Sequence, residues 1–304
     1  MTTQSVPITV LIATIRGWPD CREAVRLIAE QVFPADGEFI VADASGNPPP
    51  SDREMAELGG PIRWLELPGR SVFQLRHALY RAASGDIVAI TEDHCYVAPD
   101  WVERILEAHR RHPNAAAVGG TVLNNTDQKL VDWAAFFLTQ GPFMPPLANG
   151  VSTRISGPAN VSYKRWALER HDPDDGSGFM AILYNRRLAE AGEILRVDDR
   201  IVVDHFETTG LGWTTSIHFH NGRTISGFRR ARGMTGEEWL RIATALLLPA
   251  WRTARVVRVG LGKGRLRRQL VASVALCLWL EYVQGTGHLV GYLLGPGGSP
   301  NHLR

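Results

Sequence analysis

Glu92, Asp93 and His94 are three adjacent side chains, two carboxylates and an imidazole, each able to ligate a divalent cation. They close an apolar run, Asp86 to Thr91, whose length and β-branched content predict a buried central strand. In an open α/β sheet, ligands bind at the carboxyl ends of the strands, so the abrupt switch of polarity at Glu92 marks a candidate cation site. Asp43 ends another predicted strand, Glu38 to Ala42, where a carboxylate can accept two hydrogen bonds from a ligand. Read blandly, both are solvated turns.

The elements that must position these groups follow from the periodicity. Pro7 to Ile15 is a continuous apolar run running into Arg16 and Gly17, the form of a buried parallel strand and its loop. Asp20 and Glu23 have the spacing of a capping box before a helix with Cys21, Ala24, Val25, Ile28 and Val32 on its buried stripe. Ile62 to Leu67 predicts a strand, followed by a helix with Val72, Leu75, Ala78, Leu79 and Ala82 inward. Past the acidic tip, Pro99, Asp100 and Glu103 predict a capped helix. Further strands are expected at Ala115 to Leu123 and Arg200 to Phe206, a short helix at Asp132 to Leu138, and a Pro- and Gly-rich loop at Thr139 to Val151. Neither a Gly-x-Gly-x-x-Gly fingerprint nor a Walker loop occurs.

With 304 residues, 44% of them hydrophobic, the chain is long enough for one large domain and an appendage. Its three cysteines, Cys21, Cys95 and Cys277, are far apart and odd in number, which fits a reducing compartment and no disulfide framework. Val6 to Ile12 is too short for a signal core and reads as the first strand. The net charge of +2 hides an asymmetry: residues 231–304 hold 10 Lys and Arg against 3 Asp and Glu, a net of +7, leaving −5 on the rest. No nucleic-acid partner is expected; a partner drawn by positive charge would dock on the tail.

The order of strand, acidic tip, Pro and Trp, then helix resembles family 2 glycosyltransferases of the GT-A fold. That likeness implies an α/β architecture with a doubly wound, mostly parallel sheet over residues 1–235 and a C-terminal helical, membrane-associating tail over 236–304. It also implies a nucleotide-diphosphate sugar as donor and a divalent cation, Mn2+ or Mg2+, held by a short acidic motif. Here the motif reads Glu92-Asp93-His94 in place of Asp-x-Asp. The imidazole is the softer ligand, which makes Asp93 the first choice for the metal, with His94 beside it and His205 completing the coordination. Thr14 and Arg16 fall in the loop that cradles the nucleoside, and Asp43 in a Val-Asp-x-Ser-like segment that contacts base or ribose. Arg76 and Arg223 resemble basic residues facing the diphosphate, and Glu92 belongs to the donor-binding tip. Ser156 to Arg165 resembles a segment beside the transferred sugar. Inverting members place a carboxylate base at the start of a helix that here opens Gly178-Phe179-Met180-Ala181, so the nearest acids, Asp175 and then Asp174, are the candidate bases.

The tail alternates apolar and basic stretches: Trp239 to Trp251 is nearly all apolar, Arg252 to Arg268 carries seven basic residues and no acid, and Leu270 to Gln284 and Leu289 to Leu294 are apolar again across a Gly-containing break. This suits helices lying in the interface of an anionic cytoplasmic leaflet, which places the protein at the cytoplasmic face of the plasma membrane, peripheral or monotopic. The competing reading is a helical pair that packs on the domain or joins two copies. The expected reaction is transfer of a sugar to a lipid-linked or polysaccharide acceptor, with inversion. Two other readings stand: a non-catalytic scaffold subunit of a glycan assembly complex, favoured by Met180, and a nucleotidyltransferase, disfavoured because Ile15 to Pro19 is a poor Gly-rich basic loop.

Overall fold

The computed structural model describes residues 6–124, 129–174, 178–206, 208–245 and 247–303. In chain order the elements are β1 (Ile8–Thr14), α1 (Arg22–Val32), β2 (Glu38–Asp43), α2 (Asp52–Glu57), β3 (Ile62–Glu66), α3 (Val72–Ala82), β4 (Ile87–Glu92), β5 (Cys95–Val97), α4 (Trp101–Arg111) and β6 (Ala115–Asn124). Then come α5 (Leu130–Thr139), β7 (Gly150–Val151), β8 (Val161–Lys164), α6 (Arg165–Arg170), α7 (Ala181–Glu190), β9 (Ile194–His205), α8 (Leu211–Ala231), α9 (Gly236–Ala243), α10 (Leu248–Gly262) and α11 (Arg267–Leu294). They form two compact units, residues 1–125 with 143–206, and residues 126–142 with 207–304.

The first unit is built on a sheet of order β3-β2-β1-β4-β8-β6-β9-β5, with β7 added on β9. Its first four strands are parallel, while β8, β5 and β7 run antiparallel to their neighbours, so the sheet is mixed. Every residue of β1 is buried, as its unbroken apolar run requires. Its inward Thr9 is satisfied by donating to Glu38 Oε2 at 2.7 Å and accepting from Gly85 N at 2.8 Å. Leu11, Ile40, Leu75, Leu79, Val88 and Ile90 pack with Tyr163, Phe179 and Tyr184 into one core. In register, Thr14 of β1 lies beside Asp43 of β2, and Ala13 beside Glu92 of β4. The carboxyl ends of three adjacent strands therefore share one edge.

Two caps differ from expectation. Asp20 stays in the turn before α1, whose N-cap is Cys21 with no side-chain cap bond. Asp100 is the N-cap of α4, but its φ of −112° and ψ of 16° are not the extended backbone from which a side chain reaches N3. Its Oδ2 instead accepts from Arg104 Nε at 2.8 Å.

In the second unit, α11 runs unbroken through the glycines expected to interrupt it. The reason is close approach. A Cβ on Gly287 would lie 2.1 Å from the Phe219 carbonyl, and one on Gly291 would lie 2.4 Å from that of Arg223. These glycines let the backbones of α8 and α11 touch. α11 is long and apolar enough to cross a membrane by length and composition. It nevertheless buries Glu281, whose Oε2 lies 3.6 Å from Arg252 Nη1, and carries a half-buried His288, whose Nδ1 is 2.6 Å from Ser226 Oγ.

Candidate active site

The β4 tip is assembled from four elements of the first unit. Strand β4 ends at Glu92, and the turn that follows carries Asp93 and His94 into β5. Because Cys95 pairs in register with His205, the short β5 ties that turn to the end of β9. This brings His205 Nε2 to 3.2 Å from His94 Nε2, with the rings nearly perpendicular, and both nitrogens to 3.9 Å from Glu92 Oε2. Glu92, His94, Cys95 and His205 each direct one donor atom into a space where all lie within 4.8 Å of one another. Burial pushes the Cys95 thiol well up, with Glu92 adding to it. Two imidazoles and a carboxylate, with the Cys95 sulfur beside them, form a donor set that fits a divalent cation.

Asp93 stands behind this group. Its Oδ2 accepts from Thr14 Oγ1 at 2.7 Å, and its Oδ1 lies 2.7 Å from His94 Nδ1. Burial pushes its carboxyl upward, but the contacts with His94 and Thr14 and the charge of Arg16 outweigh that and leave it below the ordinary carboxylate range. With His94 Nδ1–H donating to Asp93, the Nε2 of a neutral ring carries the lone pair. Burial, with the positive charge of Arg16 adding to it, pulls the His205 imidazole well below its ordinary value.

Arg76, on α3, is buried and donates from Nη2 to Glu92 Oε1 at 3.0 Å. Burial pulls its guanidinium below the ordinary value while Glu92 and Asp93 oppose that. It braces Glu92 from behind, and leaves the other carboxylate oxygen to face the histidines.

On the neighbouring strand ends, Asp43 is buried, and its Oδ1 accepts from Ser45 N at 2.7 Å. Its Oδ2 has no hydrogen-bond partner among the described residues. Such an orphaned acceptor fits a ligand hydroxyl or N–H. Gly17 closes over it: φ is +74°, and a Cβ there would come 3.2 Å from Asp43 Oδ2. Thr14 Oγ1 accepts from Arg16 N and Gly17 N at 3.2 and 3.0 Å, so one hydroxyl shapes the loop while anchoring Asp93. Arg16 itself is exposed.

The structure therefore brings together Thr14, Glu92, Asp93, His94 and His205, with Arg76 behind and Asp43 two strands away, about 10 Å by strand spacing. Asp174 packs against α3. Its Oδ1 accepts from Gly178 N at 3.0 Å and its Oδ2 is 3.4 Å from His77 Nδ1. Asp175 falls outside the described residues. Arg223 belongs to the second unit, where its Nε donates to the Gly295 carbonyl at 3.2 Å, at the C-terminal end of α11. Asn160 ties strands together: Nδ2 donates to Thr121 O and Ile201 O, and Oδ1 accepts from Trp101 Nε1. Cys95 was not singled out as a donor from the sequence, although its place directly after His94 was the available signal.

Comparison with known proteins identifies the family and the fold. The profile of the family described as "Glycosyl transferase family 2" matches residues 9–171, more than half of the chain. A glucosyl-dolichyl phosphate glucuronosyltransferase of Haloferax volcanii is 26% identical over 133 residues, 43% of this chain and 40% of that protein. The chain thus aligns with under half the length of that curated relative. Among solved structures, the mannosyltransferase PcManGT of Pyrobaculum calidifontis, in complex with GDP-Man and Mn2+, superposes with a TM-score of 0.59 at 18% identity, over 96% of this chain and 88% of that one. Residues 1–349 of TarS of S. aureus superpose with a TM-score of 0.50 at 12% identity, over 95% of this chain and 91% of that one. The mixed α/β sheet is the GT-A fold, and the chain belongs to glycosyl transferase family 2.

Proposed function

We propose that this glycosyltransferase takes its sugar from a nucleotide-diphosphate donor with the help of a divalent cation and passes it, with inversion, to a lipid-linked or polysaccharide acceptor at a membrane surface. The observation that carries the reading is the convergence of His94 Nε2, His205 Nε2 and Glu92 Oε2 at the tip of β4, two strands from Asp43 Oδ2, which has no hydrogen-bond partner among the described residues. A cation bound there supplies Lewis-acid stabilisation of the departing diphosphate. Asp43 accepts hydrogen bonds from the nucleoside, the Gly17 loop confines it, and Arg16 at the mouth adds positive charge near the diphosphate.

The acceptor hydroxyl must lose its proton on the side of the sugar away from the leaving group. Asp174 and Asp175 are the carboxylates proposed for that task, with His77 beside Asp174. The second unit supplies the membrane contact. Trp239, Leu240, Leu247 and Trp251 are each more than half exposed on or beside α9 and α10, and Arg252, Arg255 and Arg258 follow on α10. Exposed Trp and Leu beside Arg suit the boundary between acyl chains and anionic headgroups. The buried Glu281, the half-buried His288 and the tight contact with α8 favour α11 lying within this unit over spanning a bilayer.

One observation favours a non-catalytic scaffold: the N-cap of α7, where family members carry the base, is the buried, apolar Met180. Donor hydrolysis assayed across nucleotide sugars with Mn2+ separates the two. Turnover of a donor supports the enzyme; no turnover together with no cation-dependent nucleotide binding leaves the scaffold.

A further inference from the structure

We infer that the ion this site holds most tightly is an imidazole-preferring transition metal such as Co2+ or Zn2+, with Mn2+ weaker and Mg2+ weakest, because the ligands are His94, His205 and Glu92 while Asp93 is the carboxylate that aims His94. The inference rests on the cation-dependent reading above and goes further, in naming the class of ion and in reversing the role expected of Asp93.

Asp93 is committed twice over. It is buried, Oδ2 holds the Thr14 hydroxyl and Oδ1 faces His94 Nδ1, both at 2.7 Å. Turning it toward an ion would release Thr14, and with it the hydroxyl that accepts from the backbone of Arg16 and Gly17. Left in place, it fixes the ring orientation and tautomer that point the His94 Nε2 lone pair at His205 and Glu92. A carboxylate on the far nitrogen of a metal-bound histidine is a common arrangement that raises ligand basicity.

The remaining donors already have ligand spacing. Two nitrogens bonded to one tetrahedral ion at ~2.0–2.1 Å are about 3.3 Å apart, and His94 Nε2 and His205 Nε2 are 3.2 Å apart. Glu92 Oε2, 3.9 Å from each, needs only a small movement, and Arg76 occupies its other oxygen, so it binds through one atom. Mg2+ takes oxygen ligands and keeps most of its water, and two imidazoles facing each other offer it little. Imidazole suits the d-block ions, with affinity rising from Mn2+ to Co2+ and on to Zn2+.

The test is direct ion binding by the untagged full-length protein, without donor, followed by calorimetry and by the visible absorption of Co2+. The expected result is Co2+ and Zn2+ binding at least about 100-fold tighter than Mg2+, with Mn2+ between. His205→Ala should lose about 100-fold or more of the Co2+ affinity. Asp93→Asn should lose about 10- to 100-fold while keeping the Co2+ spectrum. His94→Asp, which replaces a nitrogen donor with oxygen, should narrow the gap between Co2+ and Mg2+. Equal affinity of the unaltered protein for Mg2+ and Co2+ would overturn the inference and leave the cation-dependent reading intact. So would a Co2+ spectrum changed by Asp93→Asn but untouched by His205→Ala. Failure of every ion to bind, even with UDP or GDP present, would overturn both.

Discussion

Arg76 Nη2 donates to Glu92 Oε1 at 3.0 Å, and the two side chains are only 8% and 18% exposed. Removing one partner of a buried pair leaves the other charge uncompensated, which costs about 3–5 kcal/mol, whereas removing both is far milder. Arg76→Leu is therefore expected to lower the unfolding free energy by about that amount in urea denaturation. Arg76→Leu combined with Glu92→Leu should recover more than half of the loss. A single-variant loss under about 1 kcal/mol would show that the pair does not brace the tip.

At Asp43, function and stability should move in opposite directions. Its Oδ2 is buried with no partner among the described residues, while Oδ1 holds Ser45 N. Asp43→Asn keeps an acceptor for Ser45 and removes a buried charge, so the melting temperature should hold or rise. Affinity for a nucleoside diphosphate should fall by about 1–3 kcal/mol, the range for losing a hydrogen-bonded acceptor to a ligand. Calorimetric titration and thermal denaturation of the same preparation check both halves. Unchanged affinity would remove Asp43 from the nucleoside site.

His109 gives the fold an acid sensitivity. It is buried, Nε2 pairs with Ser162 Oγ at 2.8 Å, and burial, aided by Lys164, pushes the ring from 6.5 down to about 3. Between those values the unfolded chain binds a proton that the folded chain refuses, so stability is full above about pH 6.5 and declines as pH falls toward 3. Near pH 5 the loss from this group alone is about 2 kcal/mol relative to neutral pH. Urea denaturation at both pH values should show a drop smaller by roughly that amount in His109→Gln. An identical drop in the two proteins would refute the assignment.

On the tail, Trp251 and Leu247 are 59% and 73% exposed, and Arg255 lies over the Trp251 ring at 5.8 Å. The protein is expected to float with phosphatidylglycerol vesicles and not with phosphatidylcholine vesicles, and to dissociate as salt rises. Replacing Arg255 and Arg258 with Gln should weaken binding by about 1 kcal/mol for each charge. Trp251→Ser should weaken it independently of salt. Equal flotation on neutral and anionic vesicles would remove the basic residues from the interaction.

Much of this was legible in the sequence. The buried strands announced themselves as unbroken apolar runs, and the polarity switch from Thr91 to Glu92 located the tip, because both signals are local. What was not legible depended on partners distant in the chain. The Thr14 hydroxyl, 79 positions away, donates to Asp93 Oδ2, and no local pattern around Asp93 announces that bond. Arg76 reads as a free phosphate contact until α3 buries it against Glu92. The glycines of α11 read as breaks because a helix that needs them for contact with α8 looks, in one dimension, like a helix that ends. Arg223 matched a motif by type, and the bond its Nε makes to the Gly295 carbonyl, 72 positions on, has no local signal.

The central claim is that His94, His205 and Glu92 hold a cation that couples to a nucleotide diphosphate. The most direct measurement is calorimetric titration of UDP and GDP into the protein in Mn2+ and again in EDTA, for the unaltered chain and for His205→Ala. The account predicts that one nucleotide binds in Mn2+, that EDTA weakens it at least about tenfold, and that His205→Ala binds in Mn2+ no better than the unaltered chain does in EDTA. Nucleotide binding of equal strength in all of these conditions would contradict it.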